Sequence, residues 1–330
     1  MVALYLLSQN YNVSKNAFWI CETMDSRQLR YFAAIYEHGS LSQAAEALRV
    51  AVSALSHHLA NLETELATRL FHRKPRGMQA TASGERLYIH AKAILKSMSA
   101  AEKDIREATG MVAGDVAVGF AHSAVKAIGV DLARAVLEDL PKVRLSLSES
   151  LSGTTLMQLM SSEVDMALVY NAPNDPRLKV QPVLEERMVC AGRPEFLGDT
   201  DAPIRFDELL DLPMILLRQG IFARALMRDV TLLKKLEARA TLQLNSVQAI
   251  MGALTEGLGC TIASTLIVRE KLATGELRAR PVIEPELDRT LYLCELIDQP
   301  PTFAQERVRE LIMSLVRDAV RGGRWDALLV

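Results

Sequence analysis

The sequence has few cysteines, no excess of charge of one sign and no long apolar run, and each absence excludes a class of protein. Its four cysteines, Cys21, Cys190, Cys260 and Cys294, lie far apart in 330 residues and form no C-x-x-C pair. Neither a disulfide framework nor a zinc knuckle is indicated, and a reducing cytoplasm is expected. The chain has 38 lysine and arginine residues against 40 acidic ones, which excludes a uniformly basic surface.

The apolar segments are too short for a membrane span or an exported leader. Residues 250–268 form the most apolar stretch, but Glu256 and three glycines interrupt it before the roughly 20 residues that a span requires. The run from Val2 to Leu7 has no basic residue before it and is shorter than a signal-peptide core. We therefore expect neither membrane insertion nor export. Residues 1–23 share no pattern with the rest and are expected to be disordered or a start-site artefact.

A length of 330 residues with 49% hydrophobic residues predicts two or more domains. Three amphipathic helices are predicted between residues 25 and 67, because apolar residues recur on one helical face in each. These faces contain Leu29, Phe32, Ala33 and Tyr36, then Leu41, Ala44, Ala45 and Leu48, then Leu55, Leu59, Leu62 and Leu66. Gly39-Ser40 separates the first two helices, and residues 49–52 form a tight turn before the third. The spacing is typical of a helix-turn-helix and also of any three-helix bundle.

A basic hairpin is predicted after the third helix. Pro75 and Gly77 form a turn between two short extended pieces, and residues 69–84 contain four basic side chains and no acidic one. Arginines at such a tip can reach phosphates or a narrow minor groove, which would make the hairpin the wing of a winged helix. The alternative is a solvated basic loop.

A long helix with a heptad pattern is predicted over residues 85–110. Its apolar seam contains Leu87, Ala91, Ile94, Met98, Ala101 and Ile105. The 24 residues from Glu85 to Ala108 would extend roughly 36 Å, so a second copy of the helix is the expected partner. The alternative is a helix that lies on the larger domain of its own chain. Gly110 and Gly114 are predicted to form a hinge.

The remainder alternates between strands and helices, so the fold class is α/β overall with an all-α N-terminal domain. Strands are predicted over 116–120, 143–149, 164–170, 187–191, 214–217, 241–245, 260–263 and 291–296. Helices are predicted over 124–139, 155–161 and 222–238, from Ser246, and after a capping box at Thr302–Gln305. The pattern predicts two lobes with a cleft between them: lobe I at about 114–184 and 289–320, and lobe II at about 185–288.

These segments resemble the LysR-type transcriptional regulators. The matching words are LRYFAAIYEHGSLSQAAEALRV, SALSHHLANLETELATRLFHR and RGMQATASGERLYIHAKAIL, followed by GDVAVGF, EVDMALVYN and EGLGCTIAS. The resemblance spans residue 24 to about residue 320. The words GSLSQAAEALRVAVSALS, YIHAKAIL, GFAHSA, DMALVY and WDALLV are similar to the branch that includes the nitrogen assimilation control proteins.

The resemblance implies a cytoplasmic homodimer or homotetramer that binds double-stranded promoter DNA. The implied domains are a winged helix-turn-helix over 24–84, a linker and dimerisation helix over 85–110 and a periplasmic-binding-protein-like effector domain over 114–320. RNA polymerase and a small anionic metabolite are the other implied partners, and no cofactor or metal is expected. A nitrogen-assimilation-type regulator that acts without an effector is the alternative.

The resemblance also places the third helix in the major groove. The family usually has Gln and Pro where this chain has Val52 and Ser53, so Val52 offers only an apolar contact, for instance to a thymine methyl. Base readout is expected from the hydroxyl and imidazole side chains, and phosphate or minor-groove contact from Ser42 and the arginines. The predicted DNA-binding residues are Ser42, Val52, Ser53, Ser56, His57, His58, Arg73 and Arg76. A metal site at His57–His58 is disfavoured, because adjacent helical residues face different directions.

The family's effector cleft corresponds to loops before helices on both lobes. Free N–H groups and hydroxyls at helix N-termini suit an anionic ligand, whereas ordinary helix capping is the alternative role for any single Ser or Thr. The predicted effector-binding residues are His122, Ser123, Lys126, Ser152, Thr154, Tyr170, Arg218, Gln219, Asn245 and Ser246.

Two other functions compete with a regulator. Ser123 and Lys126 match the S-x-x-K spacing of some serine hydrolases, but S-D-N, K-T-G and G-x-S-x-G are absent and all six histidines lie at or before His122. A periplasmic ligand carrier would lack its export signal and leave the basic wing unexplained. Catalysis is therefore not expected.

Overall fold

The computed structural model describes residues 24–75, 77–107, 112–217 and 229–330. The chain divides into two compact units, residues 1–99 and 100–330. The expectations for residues 1–23 and for Gly110 fall outside the described residues. Among the described helices, none is long and apolar enough to cross a membrane.

The first unit is a three-helix core followed by a hairpin. Its elements are α1 (Ser26–His38), α2 (Leu41–Leu48), α3 (Val52–Glu65), β1 (Phe71–Lys74), β2 (Gly77–Ala80) and the start of α4 (Ala82–Glu107). Asp25 and Gln28 form a capping box at α1, and the Ser40 hydroxyl accepts a bond from the Gln43 N–H at the start of α2. These caps satisfy N–H groups that would otherwise lack intrahelical partners and so define where each helix begins.

The predicted apolar faces of the first three helices meet in one core. Phe32, Ile35, Leu55 and Leu62 are at most 1% exposed. Leu66 departs from the prediction and is 38% exposed, because α3 ends at Glu65 and the chain turns at Leu66. The predicted helical faces are otherwise confirmed, and the hairpin β1–β2 is present at the predicted wing.

The hairpin is attached to the helices through two glycines. The Met78 N–H donates to the Gly39 carbonyl at 2.7 Å. A Cβ at Gly77 would lie 2.3 Å from that same carbonyl oxygen, and the Gly77 φ of 128° is one that L-residues rarely adopt. Only glycine permits this approach, so the orientation of the wing relative to α2 depends on it.

The second unit begins with lobe I, which has a mixed sheet. Its elements are β3 (Ala113–Phe120), α5 (His122–Ala124), a π-helical turn (Val125–Gly129), α6 (Val130–Asp139), β4 (Lys142–Glu149), α7 (Ser152–Met160), β5 (Met166–Tyr170), and, after lobe II, β12 (Asp288–Leu296), α13 (Phe303–Arg321) and β13 (Leu328–Leu329). Strand β3 pairs in parallel with β4 and β5, and β12 pairs antiparallel with β5. The predicted capping box at Thr302 and Gln305 is confirmed at the start of α13.

Strand β6 (Leu178–Gly192) connects the two lobes. Its first part pairs with β12 in lobe I, and its last part pairs with β10 and β11. The rest of lobe II consists of α8 (Pro194–Leu197), β7 (Ile204–Arg205), α9 (Phe206–Leu209), β8 (Met214–Leu217), α10 (Val230–Arg239), β9 (Ala240–Leu244), α11 (Val247–Thr255), β10 (Thr261–Ser264), α12 (Thr265–Ala273) and β11 (Arg278–Ile283). The two lobes therefore share one continuous strand.

One local prediction needs correction, and one is only partly described. Gly114 is not a hinge, because it lies inside β3 in register with Val143. Gly114 adopts its positive φ of 130° within this strand. Of the helix predicted over 222–238, the structure describes the part from Val230 onward, as α10. The predicted start of this helix lies outside the described residues.

Candidate nucleic-acid interface and ligand cleft

Helix α3 presents a polar face on the side opposite its buried leucines. Leu55, Leu59 and Leu62 pack inward, whereas Val52 is 43% exposed and Ser53 and His57 are also exposed. Within the described residues, no side chain caps the start of α3 at Ala51. Free N–H groups at a helix start are suited to phosphate, so both the end and the outer face of α3 are available to a ligand.

The two adjacent histidines have different surroundings. The His58 ring packs edge-on against Tyr31 of α1, with ring centroids 5.0 Å apart. His57 Nε2 lies 3.2 Å from Asn61 Nδ2, one helical turn further along α3. His57 is thus placed on the open face, but His58 is half-buried in the contact between α1 and α3. Among the described residues, no three His, Cys, Asp or Glu side chains are grouped as metal ligands would be.

The wing directly contacts the polar face of α3. Arg73 of β1 is exposed, and its Nη2 lies 3.4 Å from the Ser56 hydroxyl of α3. Arg69, in contrast, pairs with Glu63 at 3.2 Å and adds less free positive charge than the sequence count indicates. Ser42 is exposed on α2, and Arg76 lies outside the described residues.

Helix α4 changes character along its length. Ala91 is fully buried and Leu87 is partly buried in the core of the first unit. Further along the same seam, Ile94 is 40% exposed, Met98 is 45% exposed and Ile105 is 77% exposed. Ala101 is also exposed. The first turns of the seam therefore close their own domain, and the later turns present apolar side chains to solvent.

A cleft lies between the two lobes of the second unit, and the space around it amounts to about 980 Å³ when the solvent at its open mouth is included. Its walls are mainly apolar, with hydroxyl groups concentrated where three helices begin. The apolar residues are Ala121, Leu151, Met157, Met188, Leu217, Val247, Ile250, Met251, Ile262, Ala263 and Ile267. The other lining residues are His122, Ser123, Ser150, Ser152, Gly153, Thr154, Tyr170, Thr261, Ser264 and Arg289. Such a cavity suits a small organic molecule with a few polar groups.

A buried ion pair stands at the floor of this cleft. Arg289 Nη2 lies 2.6 Å from Glu186 Oε2, and Arg289 Nε donates to the same oxygen at 2.7 Å. Arg289 Nη2 also donates to the Ser123 hydroxyl at 2.9 Å, and the guanidinium lies 3.6 Å from the centre of the Tyr170 ring. Burial opposes the charged form of Arg289, but Glu186 and Tyr170 outweigh it and the pKa of Arg289 lies above its ordinary value. The cleft therefore holds a permanent cation whose charge is already balanced.

The Tyr170 hydroxyl of the cleft stays protonated. Burial raises the pKa of Tyr170 far above its ordinary value, and the nearby Arg289 opposes this only in part. The Ser264 hydroxyl is buried, with no hydrogen-bond partner among the described residues. Helices α5, α7 and α12 begin at the cleft without a side-chain cap from the described part of the chain. The cleft thus offers O–H and N–H donors to which a ligand could supply the acceptor.

The structure brings together only some of the predicted effector residues. His122, Ser123, Ser152, Thr154 and Tyr170 all line the cleft. Lys126 does not: its Nζ lies 3.0 Å from Glu270 and 3.4 Å from the Ile267 carbonyl. Asn245 and Ser246 are exposed away from the lining, and Ser246 caps α11 through the Ala249 N–H, which is the capping role held open as the alternative. Arg218 and Gln219 lie outside the described residues.

Arg289 and Glu186 were not predicted from the sequence to belong to the cleft. Arg289 lies two residues before Leu291 and four before Leu293, which places all three on the same face of β12, and both leucines are buried. That pattern signals a buried arginine, and a buried arginine needs an anionic partner. The partner, 103 residues earlier in the chain, gives no comparable signal.

Comparison with protein families identifies both units. The model of the bacterial regulatory helix-turn-helix protein, lysR family, matches residues 26–85, and the LysR substrate binding domain matches residues 109–317. The chain belongs to the LysR family of transcriptional regulators. The resemblance and the fold class predicted from the sequence are thereby confirmed.

Individual members of the LysR family align over most of the chain. The nitrogen assimilation regulatory protein nac of Klebsiella aerogenes is 29% identical over 89% of this chain and 95% of its own length. The protein of the same name from Escherichia coli K12 is 26% identical over 90% of this chain and 97% of its own length.

Solved structures share the fold. Full-length OxyR C199D from Pseudomonas aeruginosa covers 89% of this chain and 95% of its own, with a TM-score of 0.68 and 21% identity. Full-length CbnR, solved with its target DNA, covers 90% of this chain and 100% of its own, with a TM-score of 0.60 and 18% identity.

Proposed function

We propose that this LysR-family regulator binds specific promoter sequences as a dimer or tetramer and responds to a small anionic metabolite in the cleft between its lobes. The observation that carries the proposal is the cleft itself. It combines an apolar wall, an arginine and the uncapped starts of α7 and α12 with an unpartnered buried hydroxyl, Ser264. An open cleft lined by hydrogen-bond donors without partners favours an effector-controlled regulator over one that acts without an effector.

DNA recognition is proposed for the outer face of α3 and the wing. Val52, Ser53, Ser56 and His57 would face base edges, with an apolar contact from Val52 where an amide is more common in the family. The half-buried position of His58 favours a supporting role through Tyr31. Ser42, Arg73 and Arg76 would contact phosphates or the minor groove and supply affinity without much sequence information.

Self-association is proposed along α4. The exposed apolar side chains of Ile94, Met98 and Ile105 follow the heptad spacing of a two-helix seam. A single chain leaves this apolar stripe in water, whereas pairing with a second copy would bury it. Two recognition helices held by one dimer would then bind two half-sites of an operator.

The remaining assignments follow from this function. We propose a DNA-binding domain over 24–84, a linker and dimerisation helix over 85–110 and an effector domain over 114–320. Helix α4 begins at Ala82, so its first three residues fall within the proposed DNA-binding domain. A regulator of bacterial promoters acts in the cytoplasm and works with RNA polymerase, and both expectations remain part of the proposal.

Catalysis at Ser123 is not supported by its surroundings. Lys126, the base that an S-x-x-K hydrolase requires, is paired with Glu270 on another helix. The group bonded to the Ser123 hydroxyl is instead Arg289, which stays charged and cannot accept the proton of a nucleophile. We therefore propose a regulator without enzymatic activity. Turnover of an ester reporter that disappears in Ser123→Ala would contradict this.

Selection of genomic DNA fragments by the purified protein tests the proposal. We expect enrichment of promoter fragments that survive competition with unrelated DNA, and an affinity that falls steeply as salt rises. The genes beside the enriched sites then supply candidate metabolites for the cleft. If no fragment is enriched over the input at low salt, the regulator proposal fails.

A further inference from the structure

A buried chain of polar groups links the cleft to the C-terminal tail, defined here as residues 324–330. The Trp325 indole N–H donates to Glu186 Oε1 at 2.5 Å, while Oε2 of the same carboxylate accepts from Arg289. Glu186 and Trp325 are each 1% exposed. One carboxylate is thus shared between a tail residue and the arginine that lines the cleft.

Trp325 is the buried anchor of the tail. The last strand, β13, pairs with β6 at Glu185 and Leu184, next to Glu186. Leu328 is nevertheless 68% exposed and Leu329 38% exposed, so the strand buries less apolar surface than the Trp325 side chain does. At the other end of the tail, Arg324 is held at the surface by Asp131, 2.6 Å away. Docking of the tail therefore depends strongly on the Trp325 contact.

Competition for Arg289 couples the two ends of this chain. A carboxylate ligand that takes hydrogen bonds from Arg289 weakens its bonds to Glu186. A buried carboxylate cannot be left without donors, so Glu186 then depends more on the Trp325 N–H. Conversely, when Trp325 is absent, Glu186 holds Arg289 more tightly and leaves less of it for a ligand.

We propose that Trp325 and Glu186 are positioning residues of the cleft, through which binding of a small carboxylate at Arg289 and docking of the C-terminal tail stabilise each other. The inference rests on the proposed ligand-binding function of the cleft and adds the tail to that site. Because coupling between two binding events is reciprocal, it is measurable from either end.

Butanoate and its neutral isostere butanamide are probes that separate charge from shape. By calorimetric or NMR titration, we expect the butanoate affinity to fall at least threefold in Trp325→Phe, which keeps an aromatic ring but lacks the N–H. In Glu186→Gln it should rise at least threefold, because the competitor for Arg289 has lost its charge. The affinity for butanamide should change less than twofold in both variants. Asp326→Asn, a substitution at an exposed residue of the tail, should leave the affinities for both probes unchanged.

Opposite shifts in the two variants are the result that a general loosening of the domain cannot produce. If both variants weaken the binding of both probes, or if wild type does not prefer butanoate to butanamide, the proposal is wrong.

Hydrogen exchange of the tail gives the reciprocal readout. Saturating butanoate should slow exchange of the amides of residues 328–330 at least threefold in wild type and not in Glu186→Gln. Unchanged exchange in wild type refutes the coupling, whereas failure of the genomic selection refutes only the regulator proposal.

Discussion

Replacing Ile94 by Asp should convert the protein to monomers. Fully burying an isoleucine stabilises by about 1.5–3 kcal/mol. Covering the 40% of Ile94 that a single chain leaves exposed would then contribute about 1 kcal/mol per copy, or about 2 kcal/mol per dimer. The aspartate adds an unpaired carboxylate in an apolar seam, which costs a further ~3 kcal/mol or more. A total of about 5 kcal/mol raises the dissociation constant of the dimer more than a thousandfold.

Sedimentation equilibrium at micromolar protein measures this directly. Ser99→Asp is the matched control, because Ser99 is exposed on α4 away from the seam and receives the same charge. We expect the control to sediment as wild type and Ile94→Asp to sediment as a monomer with an unchanged circular dichroism spectrum. Dimers of Ile94→Asp that persist at micromolar concentration would show that α4 is not the principal interface.

Three further predictions concern DNA, the cleft and the tail. Arg73→Ala should weaken binding to all DNA sequences alike, and His57→Ala should change the preference among them; competition gel shifts at several salt concentrations distinguish these outcomes, and a sequence-dependent Arg73 effect would contradict the wing assignment. Ser264→Ala should raise the free energy of unfolding in urea by about 1 kcal/mol, because it removes a buried hydroxyl without a partner; a loss of stability would reveal a partner. The Arg324 hydrogen bond lowers the pKa of Asp131 below 3.8, so the contribution of this ion pair to tail docking is complete above pH 3.8 and lost as pH falls through the lowered pKa. Asp131→Asn should therefore speed hydrogen exchange of residues 328–330 at pH 7. Equal exchange in the variant and in wild type would refute this contribution.

The sequence is informative wherever a regular local pattern determines burial. The faces containing Phe32, Ala44 and Leu55 follow the helical period, and all three residues are buried. The wing was predictable because Pro75 and Gly77 punctuate a short basic segment. The capping box at Thr302 was predictable because its hydrogen bonds join residues only three apart. Each of these features depends on neighbours in sequence, and one chain contains all the information required.

The cleft residues were harder to predict, because their partners are distant in sequence. Lys126 is close to the cleft in sequence, but Glu270 on α12 draws its ammonium away. Arg289 belongs to the cleft because β12 returns from lobe II to lobe I beside Glu186 on β6. Glycine is a residue typical of hinges, yet pairing with β4 places Gly114 inside a sheet. In each case a contact between remote segments, rather than a local preference, decides the role.

The balanced charge at the floor of the cleft bears on how the regulator would select its ligand. An unpaired buried arginine would attract any anion, but its desolvation would be costly to the empty protein. With Glu186 in place, an anion gains only the difference between its own bonds to Arg289 and those it displaces. Discrimination then falls to the apolar wall and to the donors at the starts of α7 and α12, which respond to the shape of a ligand as well as its charge. If the proposed anionic effector binds here, we expect a carboxylate with an apolar body to bind better than a small inorganic anion.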